Sequence, residues 1–185
     1  MSIDEIKKAY ELMGRMTTAE RFNFQNEQRQ ILFENKLIDF IQAGYMELFI
    51  SGSAGTRFPQ SDGLAFTNAG VVLYTVYSVY KKHPEMHVDT LFHEALIKML
   101  DGPEGLLFTA LNTIHAQLCN ERIDNAPFKL DNPELFKKLK ESISNNITYL
   151  KKSTSYRGKL YENGLYGFVE DIAARIEEQK GISVL

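Results

Sequence analysis

Residues 83 to 95 form the part of the sequence richest in side chains that could do chemistry. Three of the four histidines, His83, His87 and His93, lie here with acidic residues between them, as in metal and acid–base sites. Two histidines that share a metal from one helix need a spacing of four residues, but His87 and His93 are six apart. Pro84 places His83 at or before the helix start. The pattern therefore favours an ordinary helix start, with His83 as its cap, His87 in solvent and His93 at the edge of the core beside Asp89.

A second candidate site combines residue pairs from two neighbouring helices. Asp89 and His93 are four residues apart, and so are His115 and Cys119. The short connection between the helices predicts that they are antiparallel, with both pairs at a similar height. Such a group could bind zinc, or form a Cys-His-Asp arrangement in which histidine deprotonates the thiol. The sequence favours the structural alternative, in which the cysteine packs as a small apolar side chain, so we expect no metal and no cofactor.

The glycine- and serine-rich segment 51–63 is a candidate binding loop. It lacks the Gly-Lys-Ser/Thr ending of a phosphate-binding loop, and it is long for a connection between packed helices. Arg57 and Phe58 are of the residue types found at interface hot spots, and Pro59 limits the local backbone freedom. The sequence predicts that Arg57 and Phe58 bind another protein, with Asp62 at the rim. The alternative is that Phe58 packs onto the body of the domain.

A basic segment follows later in the chain. Residues 131–162 carry seven bases and four acids, for a net charge of 7 − 4 = +3, with tyrosines between the bases. Bases interleaved with aromatic residues can follow a nucleic-acid backbone, but a charge run is more often a solvated helix face. The candidate nucleic-acid surface spans 137–159 and comprises Lys137, Lys138, Lys140, Lys151, Lys152, Arg157 and Lys159, with Tyr149, Tyr156 and Tyr161 among or beside them.

Helix start and stop signals recur along the chain and predict an all-α fold. Capping boxes open helices at Ser2 and Thr17, and Gly14 and Gly44 suit the ends of those helices. Three Pro-Glu pairs suit first helical turns, because proline has the required φ and glutamate faces the positive end of the helix dipole. We expect about six or seven helices. They include ones near 2–14, 17–44, 84–100, 103–122, 133–152 and 165–180, with loops at 14–18, 101–103 and 123–132.

Two segments also fit β-structure. Residues 71–80 are rich in β-branched and aromatic residues, but Val72, Val76 and Val79 also form a helical stripe. A strand there would need hydrogen-bonding partners that few other runs could supply, so we expect a buried helix. Asn163-Gly164 lies between apolar pairs and is typical of a tight turn, which leaves a small hairpin near 160–168 as an option within the all-α fold.

Length and composition bound the class of protein. The 185 residues fit a single helical domain over 1–185, and the hydrophobic and charged fractions of 44% and 24% are ordinary for a globular protein. Cys119 is the single cysteine, which excludes an internal disulfide. The N-terminal residues lack a signal-peptide pattern and no apolar run is long enough to span a bilayer. We therefore expect a cytoplasmic protein without a membrane partner.

These observations leave three functional hypotheses. The leading one is a helical protein–protein interaction module, of the inhibitory, immunity or regulatory kind, whose partner is another protein and which can also self-associate. The alternative is a small enzyme or metal-binding protein that uses Asp89, His93, His115 and Cys119. The third is a nucleic-acid-associated protein that uses residues 137–159, which the net charge of −3 argues against.

Overall fold

The structure is a computed structural model that describes residues 27–53, 62–102, 104–153 and 162–185. Within these ranges the chain forms α-helices and no strand, which confirms the predicted all-α class. The described part of the chain contains seven α-helices. They are α1 (Glu27–Gln42), α2 (Met46–Ser53), α3 (Asp62–Lys82), α4 (Val88–Leu100), α5 (Glu104–Arg122), α6 (Pro133–Lys152) and α7 (Gly164–Lys180). A short 3-10 helix, Pro84–Met86, separates α3 from α4.

Helix α5 lies at the centre of the molecule. Every residue from 106 to 114 is buried, so this helix is enclosed on all sides over more than two turns. It packs against α2, α3, α4 and α7, while α6 packs on α4 and α7. All seven helices contribute to one continuous hydrophobic core, for example through Phe33, Phe49, Val76, Phe92, Leu111, Leu139 and Phe168.

Local signals explain where several helices begin and end. The Asn132 side chain accepts a hydrogen bond from the backbone N–H of Glu134 at 2.9 Å, and Pro133 occupies the first turn of α6. Helix α1 is closed by the turn at Gly44, whose φ of +76° belongs to the left-handed region that glycine adopts readily. The N–H of Tyr45 bonds to the carbonyl of Phe40 at 2.9 Å, as in a Schellman motif. The sequence predicted both of these boundaries.

The helix predicted over 84–100 is wrong in its first turn. Pro84 opens a three-residue 3-10 helix instead, and His87 then adopts a left-handed φ of +48° before α4 begins at Val88. Proline suits the start of either kind of helix, so the Pro-Glu pair could not distinguish them. The register of α4 is set by tertiary packing, because Val88, Phe92 and the apolar residues that follow at helical spacing are fully buried.

The two segments with β-signals are helical where the structure describes them. Residues 71–80 lie inside α3, with Val72, Val76 and Val79 buried, which confirms the predicted buried helix. The optional hairpin near 160–168 is wrong over its described part, because α7 begins at Gly164. Asn163-Gly164 does form a turn, with φ of +58° at Gly164, but that turn leads into a helix.

Several sequence predictions fall outside the described ranges. The capping boxes at Ser2 and Thr17 lie there, and so does the helix expected over 2–14. Helix α1 occupies the later part of the helix predicted over 17–44. In the ranges that are described, no helix combines the length and the hydropathy needed to cross a bilayer.

Candidate functional site

His115 and Cys119 face the same flank of α5, as their spacing predicted. The Cys119 sulfur lies 3.9 Å from Nδ1 and 4.0 Å from Nε2 of the His115 ring. Nearly equal distances place the sulfur beside the ring rather than on the axis of either nitrogen lone pair. Both side chains are half-buried, so the pair borders the core and also meets solvent.

Helix α7 adds two charged residues to this pair. Asp171 Oδ2 lies 2.9 Å from His115 Nε2 and accepts a hydrogen bond from Arg175 Nε at 3.0 Å. Phe168, one turn before Asp171, packs on the imidazole with ring centroids 5.1 Å apart. The thiol–imidazole–carboxylate cluster therefore consists of Cys119, His115, Asp171 and Arg175, in that order of contact.

The hydrogen bonds of this cluster fix the state of its imidazole. Burial acts to raise the pKa of Asp171, but the bonds from Arg175 and His115 outweigh it and hold that pKa below its usual value. Burial also lowers the pKa of His115, more than the nearby carboxylate raises it, so the neutral ring dominates at neutral pH. A carboxylate accepts only, so the neutral ring carries its proton on Nε2 and presents a lone pair on Nδ1.

In the second sequence candidate, the His93 ring has contacts other than His115 and Cys119. His93 Nδ1 lies 2.7 Å from the backbone carbonyl of Asp89, and His93 Nε2 faces Asp131 at 3.7 Å. No group of three histidine, cysteine or acidic side chains suited to a metal occurs among the residues that the structure describes. His93 is buried and His87 exposed, as the sequence predicted, while His83 has no capping bond from its side chain.

A second candidate lies at the end of α5, where the chain turns towards α6. The N–H of Asn125 bonds to the carbonyl of Asn120 at 2.9 Å, and the N–H of Asp124 to that of Glu121 at 3.1 Å. This is a Schellman closure, with Asp124 in the left-handed region at φ +53°. At its apex Ile123 is 70% exposed, the highest value among the exposed large apolar residues of the described chain.

A buried polar network holds this turn in place. The Glu121 carboxylate is buried and accepts hydrogen bonds from the backbone N–H of Leu130 at 2.5 Å and from the Gln117 amide at 3.2 Å. Lys180, at the end of α7, forms an ion pair with the same carboxylate. The Gln117 amide also donates to the carbonyl of Phe128 at 2.9 Å. Both ends of the connection between α5 and α6 are therefore tied to the body of the protein.

Other surface features are less organised. In α6, Lys138 pairs with Asp101 at 2.6 Å and Lys137 with Glu134 at 3.9 Å, so part of the predicted basic surface is neutralised by acids. A cavity of about 530 Å³ opens between the end of α6 and the start of α7. Its lining is mostly exposed or half-buried, and it consists of Lys151, Ser153, Glu162, Asn163, Gly164 and Tyr166.

Most of the predicted binding loop falls outside the described part of the chain. Arg57 and Phe58 lie outside the described residues, and Asp62 is the first residue of α3. The sequence did not point to Asp171, Arg175, Glu121, Ile123 or Lys180. The spacing of Asp171 and Arg175 could have indicated them, because they are four residues apart beside the apolar stripe of α7.

No protein-family model matches the chain, and neither a curated protein nor a solved structure is significantly similar to it.

Proposed function

We propose that the chain is a cytoplasmic, helical protein-interaction module, of the inhibitory, immunity or regulatory kind. The observation that carries this proposal is Ile123, an isoleucine 70% exposed at the apex of a turn that is closed by two backbone hydrogen bonds. A single exposed apolar side chain needs no explanation by itself. The distinguishing feature is the firm support beneath it, through Glu121 and its three partners.

A rigid apolar side chain is a favourable contact point for another protein. Binding must remove conformational freedom, and a turn that is already fixed loses little of it. Full burial of an isoleucine side chain contributes about 1.5–3 kcal/mol, and most of the Ile123 surface is still available for burial. The exposed Arg122 beside it is of a residue type enriched at hot spots. The turn therefore combines features expected at the centre of a small protein–protein interface.

The loop around Phe58 is the second part of the proposed interface. The sequence supports it through an arginine and an aromatic residue in a glycine-rich segment, with Asp62 at the rim. We propose that Arg57 and Phe58 contact the same kind of partner, a folded protein, and we treat the loop and the Ile123 turn as independently testable surfaces.

The test compares two matched substitutions of exposed aliphatic residues. Wild type, Ile123→Asp and Leu185→Asp are used as baits in lysate of the native cells, and the bound proteins are quantified by mass spectrometry. Leu185 is 50% exposed and lies outside the turn, so it controls for the added charge. We expect a protein that wild type and Leu185→Asp retain and that Ile123→Asp loses at least about tenfold, equivalent to about 1.4 kcal/mol. Equal retention by all three baits, at equal melting temperature, would contradict the role of the turn.

A further inference from the structure

The thiol–imidazole–carboxylate cluster is separate from the proposed interface residues and has a chemistry of its own. Cys119 is the only cysteine of the chain, and the residue is half-buried rather than enclosed in the core. Asp171 accepts the proton of His115 Nε2, so the lone pair lies on Nδ1, which is 3.9 Å from the sulfur although the sulfur is off the lone-pair axis. The arrangement places a base next to a thiol and a carboxylate behind the base.

The helical setting decides what this thiol can do. Acyl transfer needs backbone N–H groups that stabilise a developing oxyanion. Cys119 lies inside α5, where the neighbouring N–H groups are used by the helix itself. Exchange between a thiol and a disulfide forms no oxyanion and needs only deprotonation of the thiol and access to it. Of these two reactions, the cluster fits exchange.

From this geometry we infer that Cys119 is a modification site that exchanges with low-molecular-weight disulfides. His115 Nδ1 takes the thiol proton as the sulfur attacks one sulfur of the disulfide. The new bond joins Cys119 Sγ to that sulfur while the disulfide bond breaks, and the departing thiolate takes up the proton. Cys119 is thereby oxidised to a mixed disulfide, and the other half of the reagent is reduced to a thiol. Asp171 acts as a positioning residue, because it fixes the ring and its proton.

The distance between sulfur and nitrogen sets how much activation to expect. At 3.9 Å the sulfur is close to Nδ1 but off the lone-pair axis, and such bonds are often long before a reactant arrives. An ordinary thiol is only a few per cent thiolate at pH 7, so transfer of its proton to Nδ1 during the attack removes the need for prior ionisation. Because the sulfur is imperfectly aligned, we expect this transfer to raise the exchange rate by about threefold at pH 7.

The test uses dithiobis-nitrobenzoate, an aromatic disulfide that releases a coloured thiol. Rates are measured against pH for the folded protein and for the same protein unfolded in urea, whose thiol is fully exposed. Folded variants His115→Gln and Asp171→Asn are compared with His87→Gln, an exposed histidine outside the cluster. Incubation with glutathione disulfide, followed by mass spectrometry, identifies the adduct on the single cysteine.

We expect the folded protein to react about threefold faster than the unfolded protein at pH 7, with a rate that persists further into acid. His115→Gln should remove this advantage, Asp171→Asn should shift the pH profile, and His87→Gln should change nothing. A folded protein that reacts more slowly than the unfolded one at every pH, as simple burial requires, would overturn the inference. This comparison needs no variant, so it decides the question even if a substitution prevents folding.

Discussion

The ion pair between Lys180 and Glu121 offers a sharp test of how the turn after α5 is held. Changing Lys180 to Met keeps most of its apolar stem and removes the charge, leaving the buried Glu121 carboxylate without a cation. Removal of one partner of a buried ion pair typically costs about 3–5 kcal/mol. Leu130 and Gln117 still donate to the carboxylate, so we expect the lower end, about 3 kcal/mol. For a chain of this length that corresponds to a fall in melting temperature of about 6–12 °C.

Denaturant unfolding and hydrogen exchange would measure this effect. Lys152→Met, at an exposed position on α6, serves as the control and should change the free energy of unfolding by less than about 0.5 kcal/mol. Adding Glu121→Gln to Lys180→Met should recover part of the loss, because the uncompensated charge is then gone. Amide exchange should rise at residues 123–130, which the network anchors. A loss below about 1 kcal/mol for Lys180→Met would refute the argument that Lys180 compensates a buried charge.

Three further predictions concern a helix end, acid and the binding loop. Gly44→Ala should destabilise the fold by about 1 kcal/mol, because the residue at position 44 has a left-handed φ. Gly70→Ala lies at an exposed and open position within α3 and should stabilise the fold by about as much. Melting temperatures that move in the same direction for both variants would contradict this. The pKa values of His115 and Asp171 lie below their ordinary values, so the unfolded chain binds more protons in acid. The stability they confer should be complete above about pH 6.5 and fall as pH drops, first through His115 and then, below about pH 4, through Asp171. Asp171→Asn should flatten the lower part and, because the carboxylate raises the pKa of His115, make the upper step larger. Urea midpoints that do not change between about pH 7 and pH 5 would count against the first step. Phe58→Ala should weaken partner binding by about 2 kcal/mol, or thirtyfold, and leave the melting temperature nearly unchanged; the reverse pattern would make Phe58 a core residue.

Much of the fold could be predicted because the relevant signals are local. The Asn132-Pro133-Glu134 start of α6 depends on neighbours in sequence, and the cap bond forms as expected. The same kind of signal failed at Pro84, because proline suits 3-10 and α-helical starts equally. There α4 begins at Val88, because Val88 and the apolar residues that follow it at helical spacing pack into the core. Asn163-Gly164 failed for a related reason, since its turn can precede a strand or a helix and only the packing of Phe168 distinguishes them.

The candidate site shows the same contrast between residues that local spacing can place and residues that depend on helix packing. His115 and Cys119 could be placed together because a spacing of four residues fixes their neighbourhood on any helix. Asp171 comes from a helix 56 residues later in the chain, and the sequence instead suggested Asp89, on the helix just before α5. Which helix flanks His115 depends on how seven helices pack, and no local rule gives that. Ile123 was missed because its exposure depends on the turn after α5, whose left-handed Asp124 has no strong signature.

The central position of α5 has a consequence for how the protein is made. Chains leave the ribosome from the N-terminus, so α2, α3 and α4 emerge before the central helix against which they pack. Until α5 has left the ribosome as far as residue 114, Phe49 and Leu96 lack the fully buried surroundings that they have in the finished fold. We expect nascent chains that stop before α5 to bind chaperones, and release from them to follow synthesis of α5. A truncated gene product that ends at Leu100 should accumulate as aggregate rather than as a smaller folded unit.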